Sequence, residues 1–332
     1  MTSINTPDFL DNFNVADMTV GIVGFGYVGQ AIENFFNDQC RTVVYDKFKK
    51  VHDTYKLDTL EDVVRESNVV FLAVPTPMNK DGSCHTSIVE SALSDIRIVA
   101  KSIDRDTSEF VIVIKSTVTP GFTKKMQQTG LRVVFSPEFL TEKNSFADLE
   151  NTSRVLFGGD DEDTTIVVRF FQKKLQNKAV LGMADDPTTL EMVKLFTNTL
   201  LMTKVLIANE IFQVCRHLDV DYEEVMLLTC LDPRIARSHL QVPGHDGQLG
   251  AGGHCFPKDI NSLRSVAAEF GTGEKLFSAV IERNLELREK KDWLEMKGRA
   301  VVEDYEEDSD GSGRDPVYSG EFGNISSSTT KS

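Results

Sequence analysis

A cysteine set between glycines and a Pro-Lys-Asp step is the part of this sequence with the clearest chemical potential. Cys255 lies in the run Gly252-Gly253-His254-Cys255-Phe256-Pro257-Lys258-Asp259, where the proline predicts the first turn of a helix. The positive end of that helix and the neighbouring lysine both favour a thiolate. Because a thiolate can hold an aldehyde covalently while it is oxidised further, the run indicates covalent chemistry in an oxidoreductase.

A dinucleotide-binding signature precedes it in the chain. Gly24, Gly26 and Gly29 have the spacing G-x-G-x-x-G between the apolar run 18–23 and a helical pattern, and Asp46 follows the next predicted strand. The glycines let the backbone approach a pyrophosphate, and Asp46 would accept hydrogen bonds from ribose hydroxyls and repel a 2′-phosphate. The signature therefore predicts NAD rather than NADP. FAD is disfavoured because the cysteine chemistry needs an exchangeable hydride acceptor.

Two loops and an acidic segment follow predicted strands, where ligands bind in open α/β sheets. The loops are Val74–Pro77 and Lys115–Gly121, and the segment 136–142 carries two carboxylates. On a later helix, Lys194 and Asn198 are four residues apart and share one face. Such a pair can stabilise an alkoxide and hold a hydroxyl, or it can simply border a solvated face.

Alternating apolar runs and helical patterns predict the scaffold that positions these groups. Strands are expected at 18–23, 42–45, 69–74, 110–115, 131–135 and 154–157. Helices are expected from the glycine motif to Phe36 and at 59–66, 86–101 and 162–176. Continuous apolar strands indicate burial on both faces, so we predict an α/β fold with a Rossmann-type, doubly wound parallel sheet.

The pattern changes after residue 185. Asp186 and Pro187 are a good N-cap and first turn, and helix-compatible sequence then continues to about His217. Shorter helices are expected at 221–229, 257–270 and 274–298. We therefore predict four regions: an N-terminal extension at 1–17, an NAD-binding domain at 18–185, a helical domain at 186–300 that carries the cysteine and dimerises through the long helix, and an acidic disordered tail at 301–332.

Composition limits the classes of partner. The 332 residues have a formal net charge of −15, which argues against nucleic acid and against an anionic membrane. The five cysteines are odd in number and lack a C-x-x-C spacing, so neither a disulfide framework nor a structural metal is expected. The N-terminal residues are polar and acidic rather than signal-like, and no apolar run has the length of a membrane span, so we expect a cytoplasmic protein.

The order of these segments resembles the UDP-glucose/GDP-mannose dehydrogenase family over about residues 18–300. The resemblance rests on GFGYVG at 24–29, VPTP at 74–77, KSTVTPG at 115–121, PEFLTE at 137–142, EMVKLFTNTLLMTKVLIANE at 191–210 and GAGGHCFPKD at 250–259. The last motif is highly specific, and chance agreement of all six is negligible.

The resemblance implies roles for individual residues. Cys255 becomes the nucleophile, Lys194 the group that stabilises an oxyanion, and Asp259 a partner in ordering the catalytic water. The further catalytic residues that it implies are Thr117, Glu138 and Asn198. The implied cofactor-binding residues are Gly24, Gly26, Tyr27, Val28, Gly29, Asp46, Thr76, Thr117, Glu142 and Lys258. The implied substrate contacts are Glu138, Phe139, Leu140, Lys194, Asn198, Gly252 and Arg237, with Arg234 nearly as good a candidate as Arg237.

The reaction implied by the resemblance is a four-electron oxidation with NAD. The 6-hydroxyl of UDP-glucose becomes an aldehyde, Cys255 captures it as a thiohemiacetal, a second oxidation leaves a thioester, and water releases UDP-glucuronate. GDP-mannose or another nucleotide sugar remains an alternative substrate. Two other classes also remain open: a two-electron hydroxyacid dehydrogenase of the 6-phosphogluconate type, and a non-catalytic module that binds NAD or a sugar nucleotide.

The sequence departs from the family pattern in two places. Relatives usually continue into a further nucleotide-binding-like domain that holds much of the UDP, and we expect these 332 residues to be a short form without it. The loop 239–248 before the cysteine is longer than in compact relatives, and Ala251 stands where an aromatic residue is common. A naturally short enzyme, a different sugar nucleotide and an inactive protein are the three explanations, and the retained site residues disfavour the last.

Overall fold

The computed structural model describes residues 14–49, 57–176 and 178–305. The strands in these ranges are β1 (Thr19–Val23), β2 (Arg41–Tyr45), β3 (Val69–Leu72), β4 (Val111–Ile114), β5 (Val133–Phe135), β6 (Arg154–Gly158) and β7 (Val180–Ala184). The helices are α1 (Tyr27–Phe36), α2 (Leu60–Glu66), α3 (Ser87–Ser102), α4 (Phe122–Gln127), α5 (Ser145–Glu150), α6 (Asp161–Leu175), α7 (Pro187–Leu218), α8 (Tyr222–Thr229), α9 (Cys255–Glu269) and α10 (Glu274–Leu287).

The described strands form one sheet in the order β2-β1-β3-β4-β5-β6-β7. The first five are parallel, which confirms the predicted α/β class and the Rossmann-type arrangement. The sheet is not parallel throughout, because β6 meets β5 in the antiparallel direction through one pair, Phe135 and Gly158. Strand β7, which sequence reasoning missed, then runs parallel to β6 at the edge. Its mixed exposed and half-buried pattern explains why no apolar run marked it.

Apolar residues cover both faces of this sheet. On one face, Phe36 of α1 stacks on Phe71 of β3 with ring centroids 5.6 Å apart and meets Phe171 of α6 edge-on at 5.2 Å. Helices α2, α3 and α4 cover the opposite face, and the residues of β3 and β4 are buried between the two layers. The continuous apolar runs of these strands thus correspond to burial on both sides, as a doubly wound fold requires.

Helix α7 begins and ends where local chemistry predicts. The Asp186 side chain accepts a hydrogen bond from the Thr188 amide, Pro187 occupies the first turn, and Asp219 ends the helix in the left-handed conformation at φ 55°. The helix packs against α9 and α10. The predicted boundary between residues 185 and 186 falls between β7 and α7, and the division into domains stays a prediction.

The expected end of the last helix and the start of the expected disordered tail need correction, while the limits of the four regions stay predictions. The helix predicted at 274–298 ends at Leu287, because Arg288 turns into extended backbone and its guanidinium is held by the loop before Cys255. Val301 is fully buried and bridges to Met78, so ordered packing continues beyond residue 300. Val15 likewise packs into the core within the predicted extension. The other residues of the predicted tail, from 306 on, lie outside the described residues, and so do residues 1–13.

None of the helices in the described ranges combines the length and the hydropathy needed to cross a membrane.

Candidate active site

A cleft of about 820 Å³ opens along the carboxyl ends of the parallel strands. The loops that follow β1, β2, β3 and β4 line one wall, and the N-terminus of α9 closes the cleft with Cys255. Asp46 lines the cleft together with Cys255, so the two motifs that stand far apart in the sequence share one space. This edge, where the strand order reverses between β1 and β3, is where open α/β sheets bind ligands.

The glycine loop has the geometry that a dinucleotide needs. Gly24 has φ 94°, in the left-handed region where glycine is favoured. A Cβ at Gly29 would lie 2.1 Å from the Gly24 carbonyl oxygen, so only glycine permits α1 to start this close to β1. Gly24, Gly26, Tyr27 and Val28 line the cleft at the N-terminus of α1, an end that favours a pyrophosphate. The loop therefore fits the pyrophosphate of NAD.

Asp46 organises this loop as well as facing the cleft. Its Oδ2 accepts a hydrogen bond from the Phe25 amide at 2.7 Å, and its Oδ1 accepts from the amides of Phe48 and Lys49 at 2.9 Å each. A carboxylate offers about four acceptor positions, so one remains for a ribose hydroxyl. The Lys49 ammonium donates to the Phe25 carbonyl oxygen at 2.7 Å. The ribose role of Asp46 stays a prediction, and its role in organising the glycine loop was not predicted from the sequence.

Cys255 is the first residue of α9, and it is half-buried. Burial raises the pKa of its thiol to about 11. The nearby Lys194 acts in the opposite direction, but its effect on the thiol pKa is smaller than that of burial. The prediction of a thiolate at neutral pH is therefore wrong. The reason is that burial is the largest effect on the thiol, and the carboxylates of Asp259 and Glu138 oppose the lysines that attract a negative charge. The thiol must lose its proton to another group before or during attack.

Lys194 forms a buried ion pair with Glu138. Its Nζ donates to the Glu138 carbonyl oxygen at 2.7 Å and to Oε1 at 3.1 Å, while Oε2 accepts from the Leu140 amide at 2.8 Å. Burial opposes the charged lysine, but Glu138, Asp259 and Cys255 together outweigh it and raise the Lys194 pKa. Lys194 is therefore an ammonium donor, the state required to stabilise an oxyanion.

A second buried group joins α7 to α9. The Asn198 Nδ2 donates to Asp259 Oδ2 at 2.5 Å, and the Lys258 ammonium donates to the other carboxylate oxygen. Burial opposes the ionised carboxylate, but Lys258 and Lys194 outweigh it, so the Asp259 pKa is lowered. The structure thus brings Lys194, Asn198, Lys258 and Asp259 together behind Cys255.

The residues predicted to face the cofactor also reach the cleft. Those that line it are Thr76, Thr117, Glu142 and Lys258, together with Glu138. The Glu142 carboxylate pairs with Arg299 at 2.9 Å and lies 3.7 Å from Nδ1 of His254. Among the described residues, no group of three or more His, Cys, Asp or Glu side chains is arranged to hold a metal ion.

Some predicted substrate contacts lie elsewhere. Arg237 is exposed on the surface and pairs with Glu223 at 3.8 Å, so the structure does not bring it to the cleft. Arg234 is also exposed and pairs with Asp232 of its own turn. Phe139 and Leu140 are half-buried beside Glu138, outside the cleft lining. The substrate roles of these residues stay predictions.

Gly252 is covered by a buried cation that sequence reasoning missed. The Arg288 guanidinium packs against Gly252 and donates to Asp246 at 2.5 Å and to Asp292 at 3.2 Å. Asp292 in turn accepts a hydrogen bond from the Gly253 amide at 3.0 Å. The cysteine loop is thereby tied to the chain after α10 and to the long loop before it. Nothing local in the sequence indicates these contacts, because they join residues about forty positions apart.

Lys115 is a second site residue that was not singled out from the sequence, although the loop that contains it was predicted to lie at the site. Its buried ammonium donates to Ser136 Oγ at 3.1 Å and to the Pro137 carbonyl oxygen at 3.3 Å. Burial lowers the Lys115 pKa to about 8, with Glu138 opposing that change. A lysine directly after a fully buried strand was the available signal. Arg299 and His254 also line the cleft and were not singled out from the sequence.

The fold and the cleft together define a dinucleotide-binding protein of the dehydrogenase class with a cysteine beside the cofactor site. Comparison with known protein families identifies the family within this class. Residues 46–176 match the NAD binding domain of the UDP-glucose/GDP-mannose dehydrogenase family, and residues 188–286 match its central domain. These matches together span well over half of the chain, which belongs to this family.

Individual relatives agree with that assignment. UDP-glucose 6-dehydrogenase TuaD of Bacillus subtilis is 28% identical over 68% of this chain and 48% of its own length. A UDP-glucose dehydrogenase from Pyrobaculum islandicum has a similar structure, with a TM-score of 0.68, 25% identity and coverage of 82% of this chain and 69% of its own. A UDP-D-ManNAc dehydrogenase from Pyrococcus horikoshii gives a TM-score of 0.67 at 26% identity, over 81% and 69%. The chain spans about half the length of TuaD.

Proposed function

We propose that this chain carries out the NAD-dependent, four-electron oxidation of UDP-glucose to UDP-glucuronate, with Cys255 as the nucleophile. The observation that carries this proposal is that the Cys255 thiol opens onto the same cleft as the glycine loop. A half-buried cysteine with lysines and carboxylates around it is an arrangement that supports covalent aldehyde capture.

The buried charges supply what the first oxidation requires of the protein. Lys194 donates hydrogen bonds to the oxygen on the reacting carbon, and Glu138 beside it takes part in proton transfer. Asn198 holds a sugar hydroxyl through the part of its amide that Asp259 does not use. Bound NAD supplies the hydride acceptor for each of the two oxidations, held by the glycine loop, Asp46, Thr76, Glu142 and Lys258.

The second half of the reaction takes place on Cys255. The thiol sulfur adds to the aldehyde carbon, the carbonyl electron pair moves to the oxygen, and Lys194 stabilises the resulting charge. After the second oxidation, Asp259 and Thr117 order a water that attacks the thioester, and Cys255 leaves as the sulfur group. Covalent attachment prevents the aldehyde from escaping between the two oxidations.

The stoichiometry of NADH release tests this proposal. We expect two NADH per UDP-glucose from the purified chain and no uronate from Cys255→Ala. Cys230→Ala is the matched control, because Cys230 is half-buried at the C-terminal end of α8 and does not line the cleft, and its variant should keep both NADH. One NADH per sugar with full turnover in Cys255→Ala would indicate the two-electron class instead, and NAD binding without turnover would indicate a binding module.

The choice of sugar nucleotide needs a panel of substrates. Solved relatives of almost equal similarity are a UDP-glucose dehydrogenase and a UDP-D-ManNAc dehydrogenase, so the panel includes UDP-glucose, UDP-N-acetylmannosamine and GDP-mannose. We expect the highest kcat/KM with UDP-glucose. A higher kcat/KM with UDP-N-acetylmannosamine or GDP-mannose would be compatible with the cysteine mechanism, but it would show that the proposed substrate is wrong.

We also infer that the chain forms a homodimer through α7. One side of this helix faces the site, and the other exposes large apolar side chains at helical spacing: Met192, Phe196, Leu200, Ile207, Ile211, Val214 and Leu218. An exposed apolar stripe of this length is typical of an association surface. A second copy of the same helix is the partner that this stripe fits.

A further inference from the structure

Tyr27 and His254 meet beside the cysteine, and the mechanism above uses neither side chain. Tyr27 opens α1 directly after the glycine loop, and His254 immediately precedes Cys255. Their rings meet edge-on with centroids 5.6 Å apart, and the Tyr27 hydroxyl oxygen lies 3.2 Å from Nε2 of His254. The Tyr27 hydroxyl also interacts with the Cys255 thiol, and Tyr27, His254 and Cys255 all line the cleft. The hydroxyl is thus a polar group near both the sulfur and the imidazole.

The Cys255 thiol needs a proton acceptor, and the phenol of Tyr27 and the imidazole of His254 have the chemistry to supply one. The Cys255 thiol is protonated at neutral pH, since burial raises its pKa to about 11. A phenol can accept one hydrogen bond and donate another at the same time, so it can pass a proton without becoming ionised. Neutral imidazole has one nitrogen free to accept that proton.

The surroundings of His254 favour the accepting form. Burial lowers its pKa, Arg299 and Lys258 add to that effect, and Glu142 and Glu138 oppose it. The imidazole is therefore neutral near pH 7. Its Nδ1 lies 3.7 Å from a Glu142 carboxylate oxygen, which favours the proton on Nδ1 and leaves Nε2 as the acceptor toward Tyr27.

We propose that Tyr27 and His254 form a proton relay that activates Cys255. The inference rests on the proposed function, because it supplies the proton acceptor for aldehyde capture. As the sulfur–carbon bond forms and the carbonyl π bond breaks, the thiol proton moves to the Tyr27 oxygen and the Tyr27 proton moves to Nε2 of His254. The carbonyl oxygen keeps the electron pair under Lys194, and nothing is oxidised or reduced in this step.

The rate of Cys255 alkylation by iodoacetamide tests the relay without any substrate. The purified protein is treated between pH 6 and 9, and modification of Cys255 is followed by peptide mass spectrometry. We expect Tyr27→Phe and His254→Gln each to slow alkylation by at least about tenfold near pH 7.5, since each removes general-base assistance. His217→Gln is the matched control, because His217 is exposed at the end of α7.

Two further readouts separate a relay from a structural effect. The double variant should be no slower than either single variant, because both act on one pathway. Added imidazole should restore alkylation in His254→Ala but not in Tyr27→Phe. Wild-type rates in either single variant, or strictly additive effects, would overturn the relay. Because the assay contains neither NAD nor sugar nucleotide, its result is independent of whether the proposed substrate is turned over.

Discussion

Three buried lysines converge on the candidate active site, and they differ in what faces them. Lys194 faces the Glu138 carboxylate and Lys258 faces Asp259, and the pKa of each is raised despite burial. Lys115 instead donates to a hydroxyl and a carbonyl oxygen, so burial dominates and its pKa falls. Neutral acceptors do not compensate for lost hydration of a charge as a carboxylate does.

Lys115 therefore makes folding stability depend on alkaline pH. Its pKa is about 8 in the folded protein, against an ordinary value of 10.5, so the unfolded chain binds more protons between these values. Below pH 8 the folded protein must bury a charged Lys115, which lowers its free energy of unfolding. This cost disappears as the pH rises to 10.5. Relative to Lys115→Met, the wild-type free energy of unfolding should rise by about 3 kcal/mol across this window.

Urea unfolding at pH 7.5, 9 and 10.5 measures this difference. Lys101→Met, which removes an exposed lysine of α3, is the control and should give a difference from wild type that is flat with pH. A flat difference for Lys115→Met as well would contradict the assignment of its pKa.

At the scale of elements, α7 links the proposed catalytic groups to the surface. Its buried side presents Glu191, which accepts hydrogen bonds from the Gly121 and Thr123 amides at 2.6 and 2.8 Å, and then Lys194 and Asn198. The helix thereby holds the loop that contains Thr117 in fixed relation to Lys194, the proposed oxyanion donor. Its other side is the exposed apolar stripe, so dimerisation would also steady the site.

Charges placed on that stripe should separate the proposed dimer. Phe196 is 58% exposed and Ile211 43% exposed, and glutamate at both positions buries two unpaired charges in a dimer interface. We expect light scattering to give a dimer for the wild type and a monomer for the double variant. Ile98→Glu is the control, since Ile98 is 62% exposed on α3 in the NAD-binding half, and it should stay dimeric. A monomeric wild type would refute the proposal.

At the scale of the whole molecule, the cleft joins the sheet to the helical part of the chain. Strand-end loops form one wall and α9 closes it, so a bound dinucleotide contacts both. NAD at a hundred times its Kd should stabilise the protein by about 2.7 kcal/mol and raise Tm by several degrees. NADP at the same concentration should give a much smaller shift, because Asp46 faces the 2′-phosphate. Equal shifts in differential scanning fluorimetry would contradict this role of Asp46.

The accuracy of the sequence predictions followed the range of the interactions involved. Helix α1 ends at Phe36 and α7 starts at Pro187, as predicted, because a glycine turn and an Asp-Pro cap act within a few residues. The helix predicted to reach residue 298 stops at Leu287, because Arg288 is held by Asp246 from forty-two positions away. Strand β7 has no apolar run and was missed for the same kind of reason, since its partner β6 determines it.

The sequence by itself determined the dinucleotide signature, the alternation that builds the sheet, and the motif around Cys255, because each depends on residue type and local spacing. Only the tertiary structure decided the state of the thiol. The glycines and the adjacent lysine of the motif favour a thiolate, but burial and the carboxylates of Glu138 and Asp259 keep the proton on the sulfur. The hydration of a site and its balance of charge depend on residues from distant parts of the chain. The spacing of residues within one motif therefore does not predict them.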